Sequence, residues 1–139
     1  MANAEAVARE FMEAWNQRDW AKYRSMFGEG YSYTGGDGQR LDGADAGIGV
    51  GQMFANAFPD GKIEIKHIHA AGDVVIVEFL GTGTHQGDLM GIAPTGRKMS
   101  MPVCNVITVR DGKIASEREY MDMAHMMQQL GVMPAPATA

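Results

Sequence analysis

The amino-acid sequence predicts an α+β fold in which helices pack on one face of a curved antiparallel sheet. Three observations carry this. Apolar residues at helical spacing are confined to the part of the chain before Pro59. From Lys62 onward the pattern changes to alternation and β-branched runs, the signature of strands. Asp111-Gly112 then joins two such runs with the residues a two-residue hairpin turn prefers. Helices and strands segregated along a chain favour a helix layer against an antiparallel sheet over alternating βα units.

Taken in order, Asn3 is placed to cap a helix with Glu5 in its first turn, and Val7, Phe11, Ala14 and Trp15 fall on one face of it. Asp19 caps a second helix carrying Trp20, Tyr23, Met26 and Phe27, and Gly28 is expected to stop it. "YSYT" (31–34) reads as a short strand and "GGDGQRLDG" (35–43) as a flexible loop. A third helix, weakened by glycine, covers Ala44 to Phe58 with Ile48, Phe54 and Phe58 as anchors, and Pro59-Asp60 ends it. "KIEIKHIHA" alternates, as a half-exposed strand does. "DVVIVEFLGTGT" starts apolar on both faces, as a central strand does. "KMSMPVCNVITVR" and "KIASEREYMD" form the hairpin, and "MAHMMQQLGV" is a short final helix ending at Gly131. The segment 85–97, "HQGDLMGIAPTGR", is longer than ordinary hairpin loops of two to five residues and partly apolar. No repeat or internal linker interrupts the pattern. We expect one domain over 1–133 and a flexible tail over 134–139.

Composition narrows the function classes. A formal net charge of −5 gives no electrostatic support for nucleic-acid binding. One cysteine, Cys104, excludes an internal disulfide framework and offers no metal cluster. The N-terminal residues are charged where a secretory signal needs an apolar core, and no apolar run reaches membrane-spanning length. The expectation is a cytoplasmic protein with neither a nucleic-acid nor a membrane partner. Twelve methionines fit an adaptable core or cavity lining. His67 and His69 lie two apart on one strand, but no third ligand accompanies them, so no metal is expected.

The hairpin allows a register to be counted. Arg110 pairs with Lys113 and Val109 with Ile114; counting on sets Asn105 against Arg118, Val103 against Tyr120 and Met101 against Asp122. These six residues then share one surface, while Cys104, Val106, Glu117 and Glu119 share the other. A β-bulge would move the far pairs by one. If helices cover the first surface it becomes the wall of a small-molecule pocket. If they do not, it is a solvated face with Arg118 and Asp122 as an ordinary ion pair. Periodicity leaves both open.

The stretches "AFPDGKIEI" (57–65), "GTHQGDLMGIAPTGRK" (83–98), "VRDGKIASEREYMD" (109–122) and "MMQQLG" (126–131) resemble, in order and spacing, the SnoaL-like polyketide cyclases of the nuclear-transport-factor and ketosteroid-isomerase-like superfamily. The resemblance covers most of the chain. It implies a cone-shaped, cystatin-like α+β barrel: a strongly bent sheet wrapped around the N-terminal helices, with a deep apolar pocket and a homodimer through the outer sheet face. It also implies intramolecular aldol chemistry on a ketone-bearing, polyketide-like substrate, with no organic cofactor or metal. Asp122 matches the position of the acid–base carboxylate. Arg118, Asn105, Tyr120 and His85 would orient and polarise the substrate; Trp15, Tyr33, Met101 and Val103 would line the pocket; Glu117 and Glu119 would face the dimer side. The chain departs from the pattern at Arg118, commonly tryptophan in the family. Arg118 would either pair with Asp122 and hold it ionised, or bind a substrate oxygen. The loop holding His85 would lie near the pocket mouth. Two alternatives accompany this expectation: a pocket that binds a metabolite without reacting, and an epoxide hydrolase-like enzyme using Arg118, Asp122 and one of Asp37, Asp42 or Asp45.

Overall fold

A computed structural model describes residues 3–134. The expected tail therefore falls outside the described residues, apart from Pro134. Asn3 caps α1 (Ala4–Asn16), accepting from the Ala6 N–H at 2.8 Å, and Val7, Phe11, Ala14 and Trp15 are all buried. Asp19 caps α2 (Trp20–Ser25) by accepting from the Lys22 N–H at 3.1 Å. Gly28 does not stop this helix. It already lies in β1 (Phe27–Thr34), which starts four residues before the expected strand. The expected flexible loop contains a short strand, β2 (Arg40–Asp42), paired antiparallel with β1.

The glycines of α3 (Ala44–Ala57) have a packing role. A Cβ at Gly47 would lie 2.7 Å from the rings of Phe27 and Tyr31, so the helix can approach the aromatic cluster only where it lacks side chains. Arg18, with φ 56°, follows α1 and ties it to the segment after α3. Its guanidinium lies 4.2 Å over the Trp15 ring and donates to the carbonyls of Pro59 (3.2 Å) and Gly61 (2.9 Å).

The remaining strands are β3 (Lys62–Ala71), β4 (Val74–Thr84), β5 (Lys98–Arg110) and β6 (Lys113–Met121), followed by α4 (Met123–Gln129). The six strands run in the order β2-β1-β6-β5-β4-β3. The sheet curves around α1, which touches β3, β4, β5 and β6, but it does not close, since β2 and β3 remain as edges. One pair departs from the antiparallel expectation: β1 runs parallel to β6. No hairpin joins those two strands, so the connection does not impose an antiparallel direction.

The hairpin turn is as expected. Asp111 and Gly112 both have positive φ (53° and 72°), and Arg110 pairs with Lys113 and Val109 with Ile114. One step further the counted register fails. Ala115 is an extra residue on β6, so Thr108 meets Ser116, Asn105 meets Glu119 and Val103 meets Met121. Beyond this bulge the faces of β6 exchange. Glu117 and Glu119 turn inward; Arg118 and Tyr120 turn outward and are exposed.

Segment 85–97 closes on itself and on α3. His85 and Arg97 continue the β4–β5 ladder, Leu89 bonds with Ile92 in both directions, and the N–H groups of Gln86 and Gly87 donate to the Ala57 carbonyl. Leu89 is fully buried and anchors the segment. On the free edge of β5, the Gln129 side chain takes the place of a neighbouring strand: Oε1 accepts from the Ser100 N–H at 2.7 Å and Nε2 donates to the Ser100 carbonyl at 3.0 Å.

Candidate active site

α1, α2 and α3 enclose, with the inner sheet face, a cavity of about 100 Å³. By the allowance of about 10–15 Å³ per water in such measures, it holds several waters, or a ligand of one or two rings. Most of the wall is apolar, contributed by Phe11, Phe54, Phe79 and five methionines: Met12, Met99, Met101, Met121 and Met126. Trp15, Tyr33, Met101, Val103 and Asn105 all lie on the wall. So do Tyr23, Glu117 and Glu119. The only other charged lining residue is Lys62, which is exposed.

The polar end is built as two phenol–carboxyl pairs. Tyr31 and Tyr33 stand two apart on β1, Glu117 and Glu119 two apart on β6, and the parallel pairing lets each phenol reach a carboxyl. Glu117 is buried. Its Oε2 accepts from the Tyr31 hydroxyl and its Oε1 from Asn105 Nδ2 at 2.8 Å. Glu119 Oε1 accepts from the Tyr33 hydroxyl at 2.9 Å. Its second oxygen accepts no hydrogen bond from the described residues, and Glu119 lies on the cavity wall. The Asn105 Oδ1 is buried and unpartnered.

Both carboxyls are pushed toward the protonated form, chiefly by burial. For Glu117 the donors Tyr31 and Asn105 oppose this. For Glu119 the neighbouring Glu117 charge adds to burial, against the Tyr33 hydrogen bond, and the carboxyl titrates at about 7. Tyr31 and Tyr33 are raised by burial and by the carboxyls they serve, and so remain donors. A carboxyl with one oxygen fixed, one oxygen free and a pKa near neutrality is equipped to take and return a proton.

The other sequence candidates lie elsewhere. Arg118 and Tyr120 are on the outer sheet face, because the Ala115 bulge rotates them out. Asp122 lies past the end of β6, exposed, where it caps α4 by accepting from the His125 N–H at 3.0 Å. It is not paired with Arg118. His85 is completely buried within its own loop: Nδ1 accepts from the Thr95 N–H at 3.2 Å, Nε2 has no partner, and the ring lies 5.6 Å from Phe58. His67 and His69 are exposed, and among the described residues no three metal-ligating side chains converge. Sequence reasoning gave Tyr23 and Tyr31 no site role and expected Glu117 and Glu119 on the dimer side; the Ala115 bulge instead turns both carboxyls onto the cavity wall. A usable signal was present for the last three: two phenols spaced by two on one strand and two carboxylates spaced by two on another.

A curved sheet wrapped on helices around an apolar pocket, with two carboxyls on its wall, defines a class of small α+β pocket proteins. Within that class the assignment is specific. Residues 5–130 match the model of the SnoaL-like polyketide cyclases, and the chain belongs to that family. It is 30% identical over 82 residues to nogalonic acid methyl ester cyclase from Streptomyces nogalater, a match covering 59% of this chain and 61% of that protein. The chain thus spans less than two thirds of that relative's length. Among solved structures it is similar to AclR from Streptomyces galilaeus, a candidate hydroxylase (TM-score 0.84, 27% identity, 96% of this chain and 84% of that one). It is also similar to IdmH from Streptomyces antibioticus, a candidate polyketide cyclase (TM-score 0.81, 28% identity, 94% of this chain and 100% of that one).

Proposed function

We propose that the protein is a cofactor-independent cyclase acting on a ketone-bearing, polyketide-like substrate by an intramolecular aldol reaction, with Glu119 as its acid–base group. The observation that carries this is Glu119 on the wall of an apolar cavity, one carboxyl oxygen held by Tyr33 and the other without a hydrogen bond from the described residues. The Glu119 carboxylate takes a proton from the carbon beside a carbonyl, and the C–H electron pair becomes the enolate. The enolate carbon attacks a second carbonyl carbon of the same molecule and forms the C–C bond. The new alkoxide takes the proton back from Glu119, so the carboxylate is restored and no electrons are gained or lost. Burial, with the charge of Glu117 added to it, raises the Glu119 carboxyl to about 7, and Glu117 is itself held by Tyr31 and Asn105.

This reading moves the acid–base role from Asp122, an exposed helix cap, to Glu119, and gives Arg118 and His85 no chemistry. A relay of arginine and aspartates for epoxide opening would find neither residue type on the cavity wall. The experiment follows proton exchange into bicyclic aryl ketones in D2O by NMR, with cyclisation of nogalonic acid methyl ester in parallel. Glu119→Gln should lower both by about 100-fold or more. Unchanged rates in that variant would refute the assignment, and an inert wild type would favour a binding role.

We further propose a cytoplasmic homodimer through the outer sheet face. Ile76 and Tyr120 are exposed there beside Cys104 and Val106, an apolar set unusual for a solvated sheet. Ile76→Lys with Tyr120→Lys should shift sedimentation from dimer to monomer; an unchanged mass would remove this face from consideration.

A further inference from the structure

Tyr23 takes no part in the reaction as set out above, yet it is one of the most tightly held groups of the cavity. It is buried, its ring stacked on Phe11 (centroids 4.5 Å, 12°) and met edge-on by Trp20 (5.5 Å, 90°) and Phe27 (5.2 Å, 87°). These contacts leave the ring little freedom to turn. A Cβ on Gly51 would lie 3.0 Å from the Tyr23 hydroxyl, so a side chain at that position of α3 would crowd it. The Gly51 carbonyl on that helix is already taken by Trp15 Nε1 at 2.9 Å. Among the described residues the Tyr23 hydroxyl makes no hydrogen bond and stays open to the cavity.

The Tyr23 hydroxyl is not one of the buried polar atoms left without a partner, so it is reachable from the cavity rather than sealed in the packing. Two other wall donors, Lys62 and Thr82, pair with each other on β3 and β4, away from the β6 strand that carries Glu119, and the donors at the polar end are committed. The Tyr31 hydroxyl and Asn105 Nδ2 serve Glu117, the Tyr33 hydroxyl serves Glu119, and the Trp15 N–H serves Gly51. The reaction nevertheless requires a donor. Once Glu119 has taken the proton it is neutral, and the negative charge sits on the substrate oxygen in a pocket that already contains Glu117. We infer that the Tyr23 hydroxyl is the catalytic donor that hydrogen-bonds the enolate oxygen as its charge develops. The inference rests on the assignment of Glu119 as the base. Burial, then the charges of Glu117 and Glu119, raise the Tyr23 phenol well above its ordinary range, so it remains protonated and able to donate throughout the working pH range.

The test uses the full chain and the same bicyclic aryl ketones. Tyr23→Phe should lower kcat for exchange by about 100-fold with KM changed only a few-fold, while its Tm stays equal to or above that of wild type. Should the variant prove less stable, replacement of Tyr23 by fluorinated tyrosines of graded acidity decides. A rate that changes in step with phenol acidity supports the donor, and a flat series overturns it, since packing does not follow acidity. Full turnover in Tyr23→Phe beside loss in Glu119→Gln refutes the role of Tyr23 and leaves the base in place. Full turnover in both variants refutes the reading of Glu119 itself.

Discussion

Replacing Glu119 with Gln should stabilise the protein in mild alkali and leave it unchanged in mild acid. In the folded state burial and the Glu117 charge raise this carboxyl from an ordinary 4.5 to about 7. Unfolded, it titrates near the ordinary value. Between those two pH values the folded chain holds a proton that the unfolded chain has lost, so stability falls as pH rises through that window. The full penalty stands above pH 7 and amounts to about 3 kcal/mol, at about 1.4 kcal/mol per pH unit. Gln cannot ionise, yet it retains an oxygen for the Tyr33 hydroxyl. Glu119→Gln should therefore gain up to about 3 kcal/mol near pH 8.5, a Tm rise of roughly 10 °C for a chain of this size, and almost nothing near pH 4.5. Scanning calorimetry of both proteins across that range measures the difference directly. A Tm difference that does not vary with pH would refute the reasoning, because it would mean that Glu119 ionises as freely as a surface carboxylate. The same titration predicts that wild-type turnover rises with pH through about 7, as the base becomes ionised.

Other variants probe other parts of the account. Tyr31→Phe leaves the buried Glu117 with Asn105 as its remaining donor and should cost about 1–3 kcal/mol in urea unfolding at pH 8. Asp122→Ala should cost about 1 kcal/mol, as loss of a helix cap does, and Asp122→Asn nearly nothing; both should leave turnover intact. Gln129→Ala exposes the β5 edge and should cost about 1–2 kcal/mol, read as faster amide exchange at Ser100. Arg18→Ala removes its carbonyl contacts and its stacking on Trp15, and should destabilise by about 1–3 kcal/mol, with loosened ligand binding as Trp15 loses its support.

Much of the fold was legible in the sequence, because local rules govern it. The caps at Asn3 and Asp19, the anchors of α1, the turn at Asp111-Gly112 and the limits of β5 all follow from short-range spacing and turn chemistry. What failed was set at long range. Gly28 reads as a helix stop, but the chain there is drawn into β1 alongside β6, where the Met26 carbonyl accepts from the Ile114 N–H at 2.8 Å. The β5 half of the site, Met101, Val103 and Asn105, was placed correctly, since nothing interrupts alternation along that strand. The β6 half was displaced by one residue. Ala115 and Ser116 carry no polarity contrast by which period-two reading could detect a bulge. The resemblance to a family did not repair this, for it supplied a matching aspartate at 122 without supplying the backbone geometry that decides which carboxylate faces inward.

That geometry locates the chemistry of the pocket in an unusual place. With Ala115 bulged out, β6 presents a pair of glutamates to the cavity; were Ala115 instead drawn into regular pairing, Asn105 would meet Arg118, and the same residues would turn a guanidinium and a phenol inward and both glutamates to the outer face. No side chain beyond the bulge would have to change. The strand thus carries two alternative walls, one acidic and one basic, and the bulge chooses between them. Within such a scaffold, where a bulge falls in this hairpin decides as much about what the cavity presents as the side chains around it do.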